Sequence, residues 1–351
     1  MKKWSGLTKW IRRAPVCGLA VRLLIVACMS TGPAVAQVKA PLRFGVLPVG
    51  DVLESRKNWE PLWADVGKQV RLPVVALSVS TYEELARAIQ RREVDVAFLP
   101  GKMALDAVSS GQMRVIAEVK RRDGPAEHQA VLIALRTSPL DGLDKLLGSP
   151  DRWIMARGPS QSVSGFVVPQ TQLFLPHGID METRFREVIV GTHQETALAV
   201  ANGVADVATN NTTDLERFRR QFPVEAERLQ VIWRSQSTPA AQILVRSDMP
   251  TSVRRKLRDA LADYGREAGP AGARQRDTLR ALNASYGYVA ADNSALLPVA
   301  QLEYEMARQR ALGAQWTSAA AKSARMERIE KDRARLTAQL QSERAPAPSA
   351  R

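Results

Sequence analysis

Apolar residues recur in short β-rich runs separated by stretches with helical spacing. Leu42–Val49 (LRFGVLPV) is a β-rich run, and Trp59–Val70 (WEPLWADVGKQV) places apolar side chains on one helical face. Leu72–Val79 is a second strand. A helix follows over Tyr82–Arg92, with Thr81 and Glu84 at capping-box spacing. Val94–Leu99 (VDVAFL) is a third strand. Short apolar strands alternating with helices predict an α/β layer with a mostly parallel sheet.

The pattern then repeats. Glu84–Phe98 aligns without gaps on Glu195–Thr209, matching Glu84/Glu195, Ala86/Ala197, Ala88/Ala199, Asp95/Asp206, Val96/Val207 and Ala97/Ala208. Chance likeness of alanine-rich helices is the bland explanation. The preserved helix-to-strand phase favours two related lobes. Ligands of such sheets sit beyond the carboxyl ends of the strands, here Leu99-Pro100-Gly101 and Asn210-Asn211-Thr212-Thr213. Ala130–Pro139 and Ala240–Pro250 also share a pattern: an apolar strand, an Arg, a Ser, then a Pro. They read as two strand crossings forming a hinge. The lobes expected from this are 37–135 plus 243–290, and 136–242. Residues 291–351 form a C-terminal helical extension and tail. Its second helix carries a thin stripe of Met326, Ile329, Leu336 and Leu340. That stripe predicts light packing on the chain's own body, with a weak dimer seam as the alternative to a monomer.

Composition changes the picture at the N-terminus. Residues 1–36 combine six basic residues and no acidic one with the apolar LLIVACMS and the small-residue TGPAVA, the pattern of an export signal cut after Ala36. Lipidation at Cys28 ranks second, because Arg22 leaves only a short apolar run before it. Both cysteines, Cys17 and Cys28, lie in this segment, so a mature chain of about 315 residues has no disulfide. Loss of the segment lowers the net charge from +14 to +8. A basic surface attracts anions, and export argues against nucleic acid as the partner.

The chemistry concentrates in Gly158–Phe166 (GPSQSVSGF), where Ser160, Ser162 and Ser164 precede an apolar helix start. One serine is enough for a cap. Several hydroxyls beside free backbone N–H groups and the positive end of a helix suit a tetrahedral oxyanion. Cap and anion site stand level on spacing alone. Enzymatic readings are poor: there is no G-x-S-x-G elbow, no phosphate-loop motif and no metal-ligand spacing among His128, His177 and His193. No cofactor is expected.

These residues, with Thr192–Thr212, Leu229–Ser235 and Asp292–Glu303, resemble the PhnD-like phosphonate-binding periplasmic proteins of ABC importers, over nearly the whole chain after residue 36. The resemblance implies a type II periplasmic-binding fold, with a small oxyanion held between two lobes for an inner-membrane permease. A sensor that presents its ligand to a membrane kinase is the alternative, and a structural envelope protein with a vestigial cleft is a third. It also implies site residues. Ser162 and Ser164 match the family's phosphonate-binding serines, with Val163 in place of a threonine whose backbone N–H survives. His193 matches the phosphonate-contacting histidine and Tyr82 a cleft tyrosine; His128 replaces a second one. Asn211 and Thr213 lie at the polar strand end. Thr213 and Ala241 fall where aminoalkyl-phosphonate binders carry carboxylates, and Asp214, one position off, is expected to point elsewhere. The resemblance thus implies an oxyanion pocket, and the departures argue against aminoethylphosphonate, leaving phosphite, phosphate, a small alkylphosphonate or a ligand outside the phosphorus compounds.

Overall fold

The computed structural model describes residues 40–47, 52–77, 79–121, 128–140, 142–282 and 286–342. The proposed export signal, Cys28 and the last nine residues lie outside them. In chain order the elements are β1 (Leu42–Val46), α1 (Val52–Val70), β2 (Val74–Leu77), α2 (Tyr82–Gln90), β3 (Val96–Leu99), α3 (Gly101–Ser109) and β4 (Met113–Arg121). Then come β5 (Gln129–Leu135), α4 (Leu143–Gly148), β6 (Ile154–Arg157), β7 (Glu187–Val190), α5 (His193–Ala201), β8 (Val207–Asn211), α6 (Thr212–Gln221), α7 (Pro223–Glu227) and β9 (Leu229–Ser237). The chain ends with β10 (Gln242–Arg246), α8 (Thr251–Asp263), α9 (Gly269–Ala281), β11 (Tyr286–Ala290), α10 (Leu297–Gly313) and α11 (Ala319–Gln341).

Two sheets organise these elements, ordered β11-β4-β10-β3-β1-β2 and β7-β6-β8-β5-β9. In the first lobe Phe44, Trp59, Leu62, Trp63 and Val66 are buried together. Their spacing in α1 (59, 62, 63, 66, 70) is one helical face. The helix begins at Val52, seven residues before the expected start, because its first turns are polar and show no apolar period.

The repeat is physical. Asp95 and Asp206 each accept a hydrogen bond from the start of the neighbouring strand, Arg43 N to Asp95 Oδ2 at 2.9 Å and Ile154 N to Asp206 Oδ2 at 2.8 Å. Thr81 caps α2 through Glu84 N, as Thr192 caps α5 through Glu195 N. Only the second cap is reciprocal. Glu84 bonds Ser80 N instead of the Thr81 N–H.

The Ala130–Pro139 and Ala240–Pro250 likeness also has a structural meaning, though not as the crossings themselves. The chain leaves the first sheet after β4 and joins the second at β5, and it returns to the first through 238–241. On arrival it forms β5 between β8 and β9, and β10 between β3 and β4, antiparallel to both neighbours in each case. β5 is thus a central strand of the second sheet, which moves the first boundary back from residue 135 to the segment before Gln129.

The C-terminal extension is more embedded than its composition suggests. Val299 and Ala300 of α10 pack in the first lobe, while Leu302 and Met306 pack in the second. On α11, Ile329 and Leu340 are buried and Leu336 packs on the first lobe, so the thin stripe is covered within the chain. No helix among the described residues is long and apolar enough to cross a membrane.

Candidate functional site

Between β6 and β7 the chain winds as two wide, π-type helical segments, Val163–Val167 and Gln170–Phe174. Ser162 O accepts from both Phe166 N and Val167 N, each at 3.0 Å. Pro169, close behind, has no N–H to continue a regular ladder, and a widened turn accommodates this. Ser162 caps the first segment by accepting from Gly165 N at 3.0 Å. The turn is possible only because Gly158 and Gly165 face each other. A Cβ on Gly165 would lie 2.8 Å from Gly158 Cα and 2.8 Å from Ser162 Oγ. Thr209 Oγ1 ties the pair together, donating to Gly165 O and accepting from Gly158 N.

Ser164, His193 and Asn211 form one network. Ser164 Oγ is 3.1 Å from His193 Nε2, and Asn211 Nδ2 donates to the same oxygen at 3.3 Å. His193 is the first residue of α5, and Asn211 ends β8 and caps α6 by accepting from Asp214 N at 2.8 Å. Asn210 Nδ2 holds the His193 carbonyl at 2.8 Å. His128, just before β5, places Nδ1 3.1 Å from Thr213 Oγ1 in the first turn of α6. Tyr82, from the first lobe, brings its hydroxyl near enough to Ser162 for that serine to act on its ionisation. The structure thus brings Ser162, Ser164, His193, Asn211, His128, Thr213 and Tyr82 to the carboxyl ends of the parallel strands. Val163 is there as backbone, its side chain buried in the apolar core beside Gly101 of α3. Ser160 is exposed and bonds Gln161, so two of the three serines share the site.

Asp214 corrects an expectation. It does not point elsewhere: its Oδ2 accepts from Asn211 Nδ2 at 2.7 Å, the amide that also reaches Ser164. Its charge acts on Tyr82, His128 and His193 alike. The signal was available, because an N-cap Asn followed three residues later by Asp turns that carboxylate back over the helix start.

Burial controls the protonation of the site. It lowers the pKa of His193, against the opposing charge of Asp214 and the Thr209 carbonyl. Burial likewise lowers that of His128, with Asp214 opposing and His193 adding to the shift. Burial pushes Tyr82 up to about 12, Ser162 working against it and Asp214 adding to it. At neutral pH the two imidazoles and the phenol are uncharged, and Asp214 is the charge they share. Such an arrangement has hydroxyl, imidazole and amide donors to offer an anion. Among the described residues no group of His, Cys, Asp and Glu could hold a metal ion.

The family model for the phosphonate periplasmic substrate-binding protein of ABC transporters matches residues 44–296. A phosphonates-binding periplasmic protein of Escherichia coli (strain K12) is 30% identical over 238 residues, covering 68% of this chain and 70% of the relative. A solved binding protein component of an ABC phosphonate transporter from Pseudomonas aeruginosa is 28% identical and superposes with a TM-score of 0.78, covering 86% of this chain and 98% of its own. A Prochlorococcus marinus (MIT 9301) protein solved in complex with methylphosphonate shares the fold at a TM-score of 0.65 and 17% identity, covering 76% of this chain and 97% of its own.

Proposed function

Because this chain belongs to the phosphonate periplasmic substrate-binding proteins of ABC transporters, we propose that it captures a small phosphorus oxyanion between its lobes, at the start of the wide helix. The family is one of binding proteins, not enzymes. The observation that carries the reading is convergence. Two serine hydroxyls, an imidazole and an amide meet at a helix N-terminus, where first-turn N–H groups have no intrahelical acceptor. Tyr82 reaches them from the other lobe. Ser162, Ser164, the backbone at Val163 and His193 would hold the oxyanion. Tyr82 and His128 would close over it, with Asn211 holding Ser164 and Thr213 holding His128 in place.

In this reading the export signal is cut after Ala36, and the two connections between the sheets, after β4 and through 238–241, let the lobes close on the ligand. The closed form is then the one offered to an inner-membrane permease. Thr213 and Ala241 supply no carboxylate for a ligand ammonium, and Asp214, tied to the Asn211 amide that bonds Ser164, sits at the oxyanion end of the cleft, so the ligand class is phosphite, phosphate or a small alkylphosphonate.

Thermal-shift titration of the mature protein with phosphite, phosphate, methylphosphonate, sulfate and acetate tests this. Binding to the folded state alone raises stability by about 2.7 kcal/mol at a hundredfold excess over Kd. A shift with at least one of the three phosphorus oxyanions is expected. No shift with any of them at millimolar concentration would overturn the reading.

A further inference from the structure

The charge inventory of the cleft is unusual for an anion site. Among the described residues, no Lys or Arg shares a hydrogen bond with Ser162, Ser164 or His193, and Asp214 is the one carboxylate whose charge reaches Tyr82, His128 and His193 together. Its Oδ2 is one amide away from Ser164 Oγ, through the Asn211 Nδ2 group that donates to both. Arg217, three residues on, approaches Asp214 Oδ1 at 4.0 Å. The Asp214 side chain keeps 20% of its exposure, which leaves an oxygen edge able to accept another donor.

A doubly charged oxyanion here would face the Asp214 carboxylate in a partly desolvated site, with neutral imidazoles to offset it. Like charges so placed repel strongly. A singly charged oxyanion that keeps one proton has a hydroxyl to offer. An O–H donor to a carboxylate makes one of the stronger hydrogen bonds in proteins. The proton stays on the ligand oxygen, and no bond is made or broken.

We propose that Asp214 selects the singly protonated form of the ligand, accepting a hydrogen bond from its hydroxyl while Ser162, Ser164 and His193 hold the other oxygens. This rests on the reading of the cleft as an oxyanion site. The ligand class narrows to oxyanions that retain a proton near neutral pH: hydrogen phosphonates, hydrogen phosphite and dihydrogen phosphate. Sulfate, which has no proton to give, is rejected although its shape is similar.

The test is calorimetric titration of the mature protein with methylphosphonate from below to above the ligand's second ionisation, with the ³¹P resonance of the bound ligand followed over the same range. The groups facing Asp214 are Tyr82, which titrates far above this window, and His128 and His193, which titrate on its acid side. Arg217 is the guanidinium on this side, 4.0 Å from Asp214 Oδ1. Affinity should be flat below the ligand's second ionisation and fall about tenfold per pH unit above it, the slope for one linked proton. The bound resonance should stay at its monoanion position throughout. Asp214→Asn keeps an acceptor for the Asp214-facing amide of Asn211. It should flatten the slope and bring sulfate affinity to within about tenfold of phosphate. A bound resonance at the dianion position, or an Asp214→Asn slope equal to wild type, would overturn the proposal. Both wild-type measurements stand even if the variant does not fold. Absence of binding by methylphosphonate, phosphite and phosphate at every pH would instead refute the oxyanion reading beneath it.

Discussion

In the first lobe β3 ends in Leu99-Pro100-Gly101, and α3 starts from Pro100 with no side-chain cap. In the second lobe the equivalent strand, β8, ends in Asn210-Asn211, and α6 starts from an asparagine that bonds Ser164 and Asp214. The scaffolds beneath are alike: an aspartate clamps the next strand's start, a threonine caps the preceding helix, and a strand arriving from the other lobe lies antiparallel in the middle. The polar network is confined to the second copy. The repeat builds two platforms, and the chemistry lies where the second departs from the first.

The largest difference expected between the lobes concerns two glycines. In Gly165→Ala the new Cβ meets the Gly158 backbone at 2.8 Å, which cannot yield. In Gly101→Ala it meets a Val299 methyl at 2.5 Å, which can turn aside. Overpacking of the first kind costs about 3 kcal/mol and of the second about 1 kcal/mol. Chemical denaturation should rank them so, and Gly165→Ala should also lose ligand binding. Equal costs would mean the Gly158–Gly165 contact is not what shapes the serine turn.

The two clamping aspartates come next. Asp95 is nearly buried and bonds the Arg43 backbone, the Arg43 guanidinium and Arg246. Asp206 keeps 32% of its side-chain exposure and has Arg186 only at 3.6 Å. Asp95→Ala should cost about 3 kcal/mol and Asp206→Ala about 1 kcal/mol, as read from denaturation midpoints, with ligand affinity unchanged in both folded variants. A larger cost at Asp206 would break the equivalence of the platforms.

The lobes should also lose stability in different pH windows. His128 and His193 have pKa values held below the ordinary 6.5 by burial. The unfolded chain therefore takes up protons first, and stability falls as pH drops below about 6.5. For Asp95, burial opposes ionisation, but the Arg43 hydrogen bonds and the Arg43 and Arg246 charges outweigh it and lower the pKa. Its contribution is complete above the ordinary carboxylate value and is lost as pH falls through the lowered one. Thermal melts against pH should show an early loss, absent in His128→Gln/His193→Gln, and a later one absent in Asp95→Asn. A single common transition in all three proteins would contradict this assignment.

The smallest effect is at the helix caps. Thr81→Ala and Thr192→Ala should each cost about 1 kcal/mol. The loss at Thr192 should be the greater, because its cap is reciprocal while Glu84 turns to Ser80.

Much of this was legible in the chain. The Asp95/Asp206 phase located the repeat, and the shared pattern of Ala130–Pro139 and Ala240–Pro250 marked the two exchanged strands. The pattern could not say where the crossing lay, since a strand's apolar run is the same whichever sheet receives it. The polar start of α1 and the embedding of α10 were hidden for the same reason: helical periodicity records burial, not which lobe supplies it. Within the site, Ser162 and Ser164 could be read from the helix start. Asp214 was hidden because it lies one residue past the position, Thr213, where the family carries a carboxylate, whereas the Asn211 cap folds the Asp214 side chain back toward Ser164. The Gly158–Gly165 contact leaves no mark in spacing at all.

The central claim is that the serines of the wide helix hold an oxyanion rather than merely cap a helix. Calorimetric titration of Ser162→Ala/Ser164→Ala with methylphosphonate tests it most directly. Each lost charge-assisted hydrogen bond should remove roughly 1.5–3 kcal/mol of binding. The folded double variant should therefore bind at least about a hundredfold more weakly, at about 1.4 kcal/mol per tenfold. A folded double variant with wild-type affinity would contradict the account and reduce Ser162 and Ser164 to an ordinary helix start.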